Sequence, residues 1–230
     1  MPTTLIAALD VPEIEKAFDI VDTFGDEVQW YKVGKQLFTR FGPAVVRGLK
    51  ERGRNVFLDL KFHDIPNTVA QAIHSAAAIG ADLVNVHASG GPAMLAAAAK
   101  AAKETGVTVI AVTVLTSLDE GELQAIGLDV PPAVQVERLA RLAKSAGLSG
   151  VVCSPQEIEL VHQACGKDFL TIVPGIRPAG SDAADQRRIM TPAQAARNGA
   201  DFIVVGRPIL QAADPRAAAQ AVNRDLRGGN

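Results

Sequence analysis

Eight short runs of apolar, largely β-branched residues recur along the chain, and each is followed by a longer stretch with helical spacing. This alternation leaves few folds open. The runs are Leu5 to Asp10, Val28 to Gly34, Asn55 to Lys61, Leu83 to Ala88, Thr108 to Leu115, Gly150 to Ser154, Leu170 to Pro174 and Phe202 to Gly206. Strands that alternate with helices pair in parallel, because each crossover helix returns the chain to the same end of the sheet. Eight such units in 230 residues predict one α/β domain over residues 1–230, closed as a (β/α)8 TIM barrel near the compact end of that architecture. An open doubly wound sheet is the alternative use of the same elements.

Several helix boundaries are written in the sequence. Ser154-Pro155-Gln156-Glu157 and Thr191-Pro192-Ala193-Gln194 have the form of capping boxes with proline in the first turn, and Asp214-Pro215 opens the last helix similarly. Between Val134 and Ala146, the residues Val136, Leu139, Leu142, Ala143 and Ala146 fall on one helical face. Glu137 and Arg141 can pair four apart on the other face, and Gly147 ends the helix. The alanine-rich stretches, such as Ala96 to Ala102, suit helices lying close against a sheet.

Composition narrows the function classes. The formal charge is −2 and aromatic residues make up 4%, so neither a basic face nor a set of base-stacking platforms is available, which argues against nucleic acid as a partner. Cys153 and Cys165 form no CxxC and have no Cys/His ligand set around them. That pattern speaks against a disulfide scaffold or structural zinc and for a reducing, cytoplasmic setting. The N-terminal residues show no secretory signal, and apolar runs such as Val107 to Leu115 are too short to span a membrane.

Charges inside barrel strands need a reason, because one face of such a strand meets the barrel interior and the other meets the helices. In Asn55 to Asp64, a period of two places Val56, Leu58 and Leu60 on one face and Phe57, Asp59 and Lys61 on the other. Asp59 and Lys61 thus become neighbours near the strand's C-terminal end, with Asp64 on the following turn. Asp10 ends the first strand and Lys32 lies late in the second. All five charges converge on the C-terminal mouth, which is where enzymes of this fold place their chemistry.

The seventh and eighth units carry a different signal. Pro174-Gly175-Ile176-Arg177-Pro178 is followed by a polar loop of about fifteen residues containing Ser181, Asp185 and Gln186, long enough in a compact fold to serve as a lid. Val204-Val205-Gly206-Arg207 combines a close backbone approach with a guanidinium. Many barrels hold a phosphate at these two positions.

Together these residues resemble the orotidine 5'-phosphate decarboxylase family in its bacterial form. The ten residues Asp59-Leu60-Lys61-Phe62-His63-Asp64-Ile65-Pro66-Asn67-Thr68 look like its signature. Ala8-Leu9-Asp10, Lys32-Val33-Gly34, Leu115-Thr116-Ser117, Pro174 to Pro178 and Gly206-Arg207 follow in matching order across nearly the whole chain. The resemblance implies decarboxylation of orotidine 5'-monophosphate to UMP, with neither metal nor organic cofactor. It makes Lys61 the proton donor to C6, flanked by Asp59 and Lys32. It gives Asp64, together with Ile65 and Thr68, to the partner subunit's site, hence a homodimer with shared active sites. Asp10 would meet the ribose, and Thr116 and Ser117 the ribose and pyrimidine amide. Pro174, Arg177, Gln186, Gly206 and Arg207 fall at the phosphate and closing-loop positions.

Two other functions share parts of this pattern. A metal-dependent 3-keto-L-gulonate 6-phosphate decarboxylase also carries Asp-x-Lys-x-x-Asp, but has a glutamate ligand where this chain has Lys32. A non-catalytic barrel that binds UMP would be expected to lack the lysine or an aspartate. His87, at a strand end, reads as a hydrogen-bonding neighbour of the site and His63 as a structural one. His74 and His162 read as helix-surface or packed residues, and Cys153 as a small core residue within a strand.

Overall fold

The computed structural model describes residues 2–178 and 190–228. Eight strands close into one barrel in sequence order: β1 (Thr4–Ala8), β2 (Trp30–Gly34), β3 (Asn55–Phe62), β4 (Leu83–His87), β5 (Thr108–Val112), β6 (Gly150–Val152), β7 (Leu170–Val173) and β8 (Phe202–Val205). Every neighbouring pair is parallel, including β1 with β8. The closed-barrel expectation holds, and the open sheet is excluded.

Every strand differs from its expected run by one to three residues at an end, and β1 stops at Ala8, so Asp10 lies two residues beyond it. β5 stops at Val112 because its neighbour β6 ends at Val152, to which Val112 is paired. Thr113 then bonds sideways, its hydroxyl donating to the Val152 carbonyl at 2.8 Å. β2 starts at Trp30, opposite the first residue of β3, rather than at Val28. Cys153 lies one residue beyond β6, not within a strand, but is fully buried as expected.

Alternation along the strands sorts the apolar residues into two cores. Outward-facing residues such as Tyr31, Val33, Val56 and Leu58 pack against the helices in the larger one. Ile6, Phe57, Leu83, Ile110, Ile172 and Val204 fill the barrel interior, with Trp30 and Phe202 packed against them. This inner plug closes the N-terminal end and leaves the other end available to polar residues.

The helix signals are realised. Thr191 accepts from the Gln194 N–H at 3.3 Å while the Gln194 side chain accepts from the Thr191 N–H at 3.1 Å. Glu157 accepts from the Ser154 N–H at 2.7 Å, and Asp214 caps the Ala217 N–H at 2.9 Å. The helix Pro132–Ser145 carries the Arg141–Glu137 bond at 2.9 Å on its outer side and buries Val136, Leu139 and Ala143. One capping box escaped sequence inspection: Asp119 and Glu122 start the short helix Glu120–Ala125 in the loop after β5.

Candidate active site

The inward positions of β2, β3 and β4 change from apolar to polar on climbing toward the mouth. Trp30 is followed by Lys32, Phe57 by Asp59 and Leu83 by Asn85. The other half of the wall stays apolar, with Val112, Val114, Val152, Ile172 and Val204 facing the same cavity. A pocket results with charge on one side and hydrocarbon on the other.

The charged side is an alternating row. Asp10 Oδ1 lies 3.0 Å from Lys32 Nζ, which lies 3.5 Å from Asp59 Oδ2, and Asp59 Oδ1 lies 2.5 Å from Lys61 Nζ. Burial by itself would raise the Asp59 carboxyl. Lys32 and Lys61, with hydrogen bonds from Lys61 and Asn85, outweigh that effect and hold it below the usual carboxylate range. For Lys32, burial favours the neutral amine, but Asp59 and Asp10 reverse the sign and keep it charged. A lone ion pair at this depth would repay little of its desolvation cost, whereas each inner member of the row has two partners of opposite sign.

Lys61 is held in a backbone conformation that side chains rarely adopt. It is the only non-glycine residue with positive φ among those described, at 55°. The ladder explains why: Leu58 pairs with Val84, but Phe62 rather than Leu60 pairs with Val86, so β3 bulges between them. Regular alternation was expected through Lys61 and stops short of it. Lys61 nevertheless reaches the cavity, because Leu60 and Phe62 both pack against the outer core.

The remaining expected residues separate into groups. Thr116 and Pro174 line the cavity beside Lys32, Asp59 and Lys61. Ser117 lines an adjoining recess with Leu118, Asp119 and Gln156. Gly206 sits close to Asp10, since a Cβ there would lie 3.8 Å from Asp10 Oδ2. Arg207 follows it on an exposed position, while Arg177 is buried, its backbone N–H donating to the Met190 carbonyl at 2.9 Å and its guanidinium to the Ile176 carbonyl at 3.2 Å. Gln186 lies outside the described residues.

Asp64 and Ile65 do not face this cavity. They line a separate surface recess with His63, Pro66, Gly90, Ala93 and Met94. Thr68 is exposed on the next helix, Pro66–Ala78. Ile65 is 67% exposed, conspicuous for a large apolar side chain. His63 and His87 lie with ring centroids 5.4 Å apart; burial, His63, Lys61 and Lys35 together push His87 below its ordinary value.

Two residues of the site were not singled out from sequence. Asn85 is buried and bonds to both Asp59 and Lys61; its signal was an amide amid the apolar residues of a strand, two places after Leu83. Gly34 is the other. A Cβ there would lie 3.1 Å from Lys32 Nζ and 3.2 Å from Asp10 Oδ1, too close for the pair to stay where it is.

A closed parallel barrel with ordered charges at the C-terminal mouth places the chain among the (β/α)8-barrel enzymes. It belongs to the orotidine 5'-phosphate decarboxylase / HUMPS family, whose model matches residues 3–222. It is 51% identical over 230 residues to orotidine 5'-phosphate decarboxylase of Moorella thermoacetica, covering 96% of this chain and 91% of that protein. The enzyme of that name from Actinobacillus pleuropneumoniae serotype 5b is 50% identical, covering 99% of this chain and all of the relative. Among solved structures, orotidine 5'-phosphate decarboxylase from Lactobacillus acidophilus superposes with a TM-score of 0.87 at 38% identity, covering 97% of this chain and 99% of that one.

Proposed function

We propose that this chain removes CO2 from orotidine 5'-monophosphate to give UMP, the closing step of de novo pyrimidine nucleotide synthesis. The observation that carries this reading is the Lys61 ammonium, fixed by Asp59 at the edge of a cavity whose opposite wall is apolar. Breaking the bond from C6 to the carboxylate leaves an electron pair on a ring carbon that the pyrimidine cannot readily delocalise. A pre-placed ammonium meets that charge as it develops and donates a proton to C6. Carbon dioxide departs, and the Lys61 amine regains its proton from solvent.

The other roles follow the site's layout. Asp59 holds and directs the Lys61 ammonium, Lys32 braces Asp59 through its other oxygen, and Asp10 with Lys32 addresses the ribose. Thr116 and Ser117 address the ribose and the pyrimidine amide. Pro174, Arg177, Gln186, Gly206 and Arg207 take the phosphate end, where binding energy remote from the reacting bond serves catalysis. Asp64, Ile65 and Thr68 act in the site of a second copy; their position outside their own chain's cavity, and the exposure of Ile65, support that homodimer. The whole chain works as one domain in the cytosol, a reading compatible with its buried free thiols, Cys153 and Cys165.

A specific observation disfavours the metal-dependent relative. Lys32 places an ammonium 3.5 Å from Asp59, so the carboxylate that would serve a cation is already neutralised. The test is the loss of orotidine 5'-monophosphate absorbance with EDTA-treated protein, repeated after adding magnesium. Loss without metal, with UMP as product, supports the proposal; loss only with magnesium, or none at all, refutes it.

A further inference from the structure

We infer that Asn85 is the positioning residue of this site: it holds Lys61 in its left-handed backbone conformation and aims the ammonium through Asp59. The inference rests on the decarboxylase reading for its kinetic consequence, though not for its geometry.

Both ends of the Asn85 amide are committed to the same two residues. Its Oδ1 accepts the Lys61 backbone N–H at 2.8 Å, and its Nδ2 donates to Asp59 Oδ1 at 2.7 Å. That carboxylate oxygen is also the one that receives Lys61 Nζ. A closed ring therefore runs from the Lys61 backbone through the amide and the carboxylate to the tip of the Lys61 side chain. Two ends of one flexible residue are pinned by a third residue on another strand.

The bulge makes this support necessary. Because Phe62 rather than Leu60 pairs with Val86, Lys61 falls in the stretch where the β3–β4 ladder is interrupted. A side chain takes over the role of a strand carbonyl, and the residue so held is the one with φ of 55°. Asn85 is 1% exposed, so its bonds are not in competition with solvent. Only a short amide fits both demands: leucine offers neither partner, and aspartate keeps the acceptor but sets a carboxylate against Asp59. Lys32 supports Asp59 from the opposite side through its other oxygen.

The test uses the full chain and two variants, Asn85→Leu and Asn85→Asp. Folded sites are counted by UMP-binding stoichiometry so that kcat is expressed per competent site. For Asn85→Leu we expect the Lys61 φ to turn negative in a crystal structure and Nζ to leave Asp59 Oδ1. Its kcat should fall about 100-fold, the size of effect that a misplacement on the order of 1 Å produces, with KM for orotidine 5'-monophosphate within about threefold of wild type. Asn85→Asp, which retains the acceptor, should keep the backbone of Lys61 and still lose about tenfold in kcat through the disturbed Asp59. Should Asn85→Leu fail to fold, Asn85→Asp decides on kcat and KM alone.

Unchanged kcat per site, or a loss confined to KM, overturns the positioning role. So does a left-handed Lys61 with its ammonium in place in Asn85→Leu. A wild type that never consumes orotidine 5'-monophosphate instead refutes the reaction, and the position of Lys61 in Asn85→Leu then decides the geometry by itself.

Discussion

Lys32 and Asp59 meet at 3.5 Å although their backbones are not opposite each other: Gly34 pairs with Asp59, and Lys32 with Phe57, two positions lower in the ladder. The lysine therefore climbs past a glycine to reach the carboxylate. Gly34 leaves the space through which its side chain passes, and the same gap brings Asp10 within 3.0 Å.

Adding one methyl group at Gly34 should disturb the site without touching the inner plug. In Gly34→Ala, the new Cβ would lie 3.1 Å from Lys32 Nζ and 3.2 Å from Asp10 Oδ1, so that pair must shift by a few tenths of an ångström. We expect kcat/KM for orotidine 5'-monophosphate to fall about tenfold, given the sensitivity of catalysis to small misplacements. The thermal midpoint should barely change. Full activity in Gly34→Ala would show that Lys32 does not need its present position.

Lys61 carries backbone strain that its side chain has to justify. Glycine adopts positive φ without penalty, whereas alanine there costs on the order of 1 kcal/mol. Lys61→Gly should therefore be more stable than Lys61→Ala by about 1 kcal/mol in urea unfolding, although glycine normally weakens a strand. Both variants should lose turnover, because each lacks the ammonium. Equal or reversed stabilities would mean that the left-handed conformation at φ 55° is not kept in solution.

The charged row should also leave a mark on stability. The Asp59 carboxyl is lowered in the fold, so its contribution is present above the ordinary value near 3.8 and is lost as pH falls through the depressed folded value. Lys32 is raised, so its contribution is present below 10.5 and is lost as pH rises through the higher folded value. Lys32, Lys61 and Asn85 face Asp59 directly, with Asp10 beyond Lys32 and His87 beyond Lys61. Asp59→Asn should cost about 3 kcal/mol between roughly pH 5 and 9, because it leaves two ammoniums without their shared carboxylate. That difference from wild type should shrink as pH falls below about 4, where the carboxyl of the unfolded chain takes up protons, and close as the depressed folded value is passed. A pH-independent gap in urea unfolding would refute the assignment.

The proposed sharing of sites between two copies predicts the behaviour of mixtures. Asp64→Ala and Lys61→Ala chains should each be inactive alone, and a mixed dimer should recover one site that has an intact Lys61 from one chain and an intact Asp64 from the other. Random pairing gives mixed dimers in about half the population, so about a quarter of wild-type activity is the ceiling. A verified heterodimer without activity would mean that each site is built within one chain.

Much of this molecule follows from local pattern. The eight strand-and-helix units, the caps at Thr191 and Asp214, and the Glu137–Arg141 pair all depend on residues close in sequence, where side-chain period and hydrogen-bonding reach dictate the outcome. The charges at Lys32, Asp59 and Lys61 were legible for a similar reason: a charge at an inward strand position is too costly to be incidental. Asp10, exposed two residues beyond β1, was legible only by its place at the end of an apolar run.

What the sequence could not display is whatever depends on two strands meeting. The ends of β2 and β5 are set by where their neighbours begin and end, not by their own apolar runs. The bulge at Lys61 comes from the pairing of Phe62 with Val86, and the support for it comes from Asn85, on the next strand. Likewise, the need for glycine at position 34 arises only when Lys32 and Asp10 occupy the space beside it. Residue type and period decided which side chains enter the barrel. Register and closure decided which of them touch, because a contact between strands depends on the relative shift of two backbones that no single segment encodes.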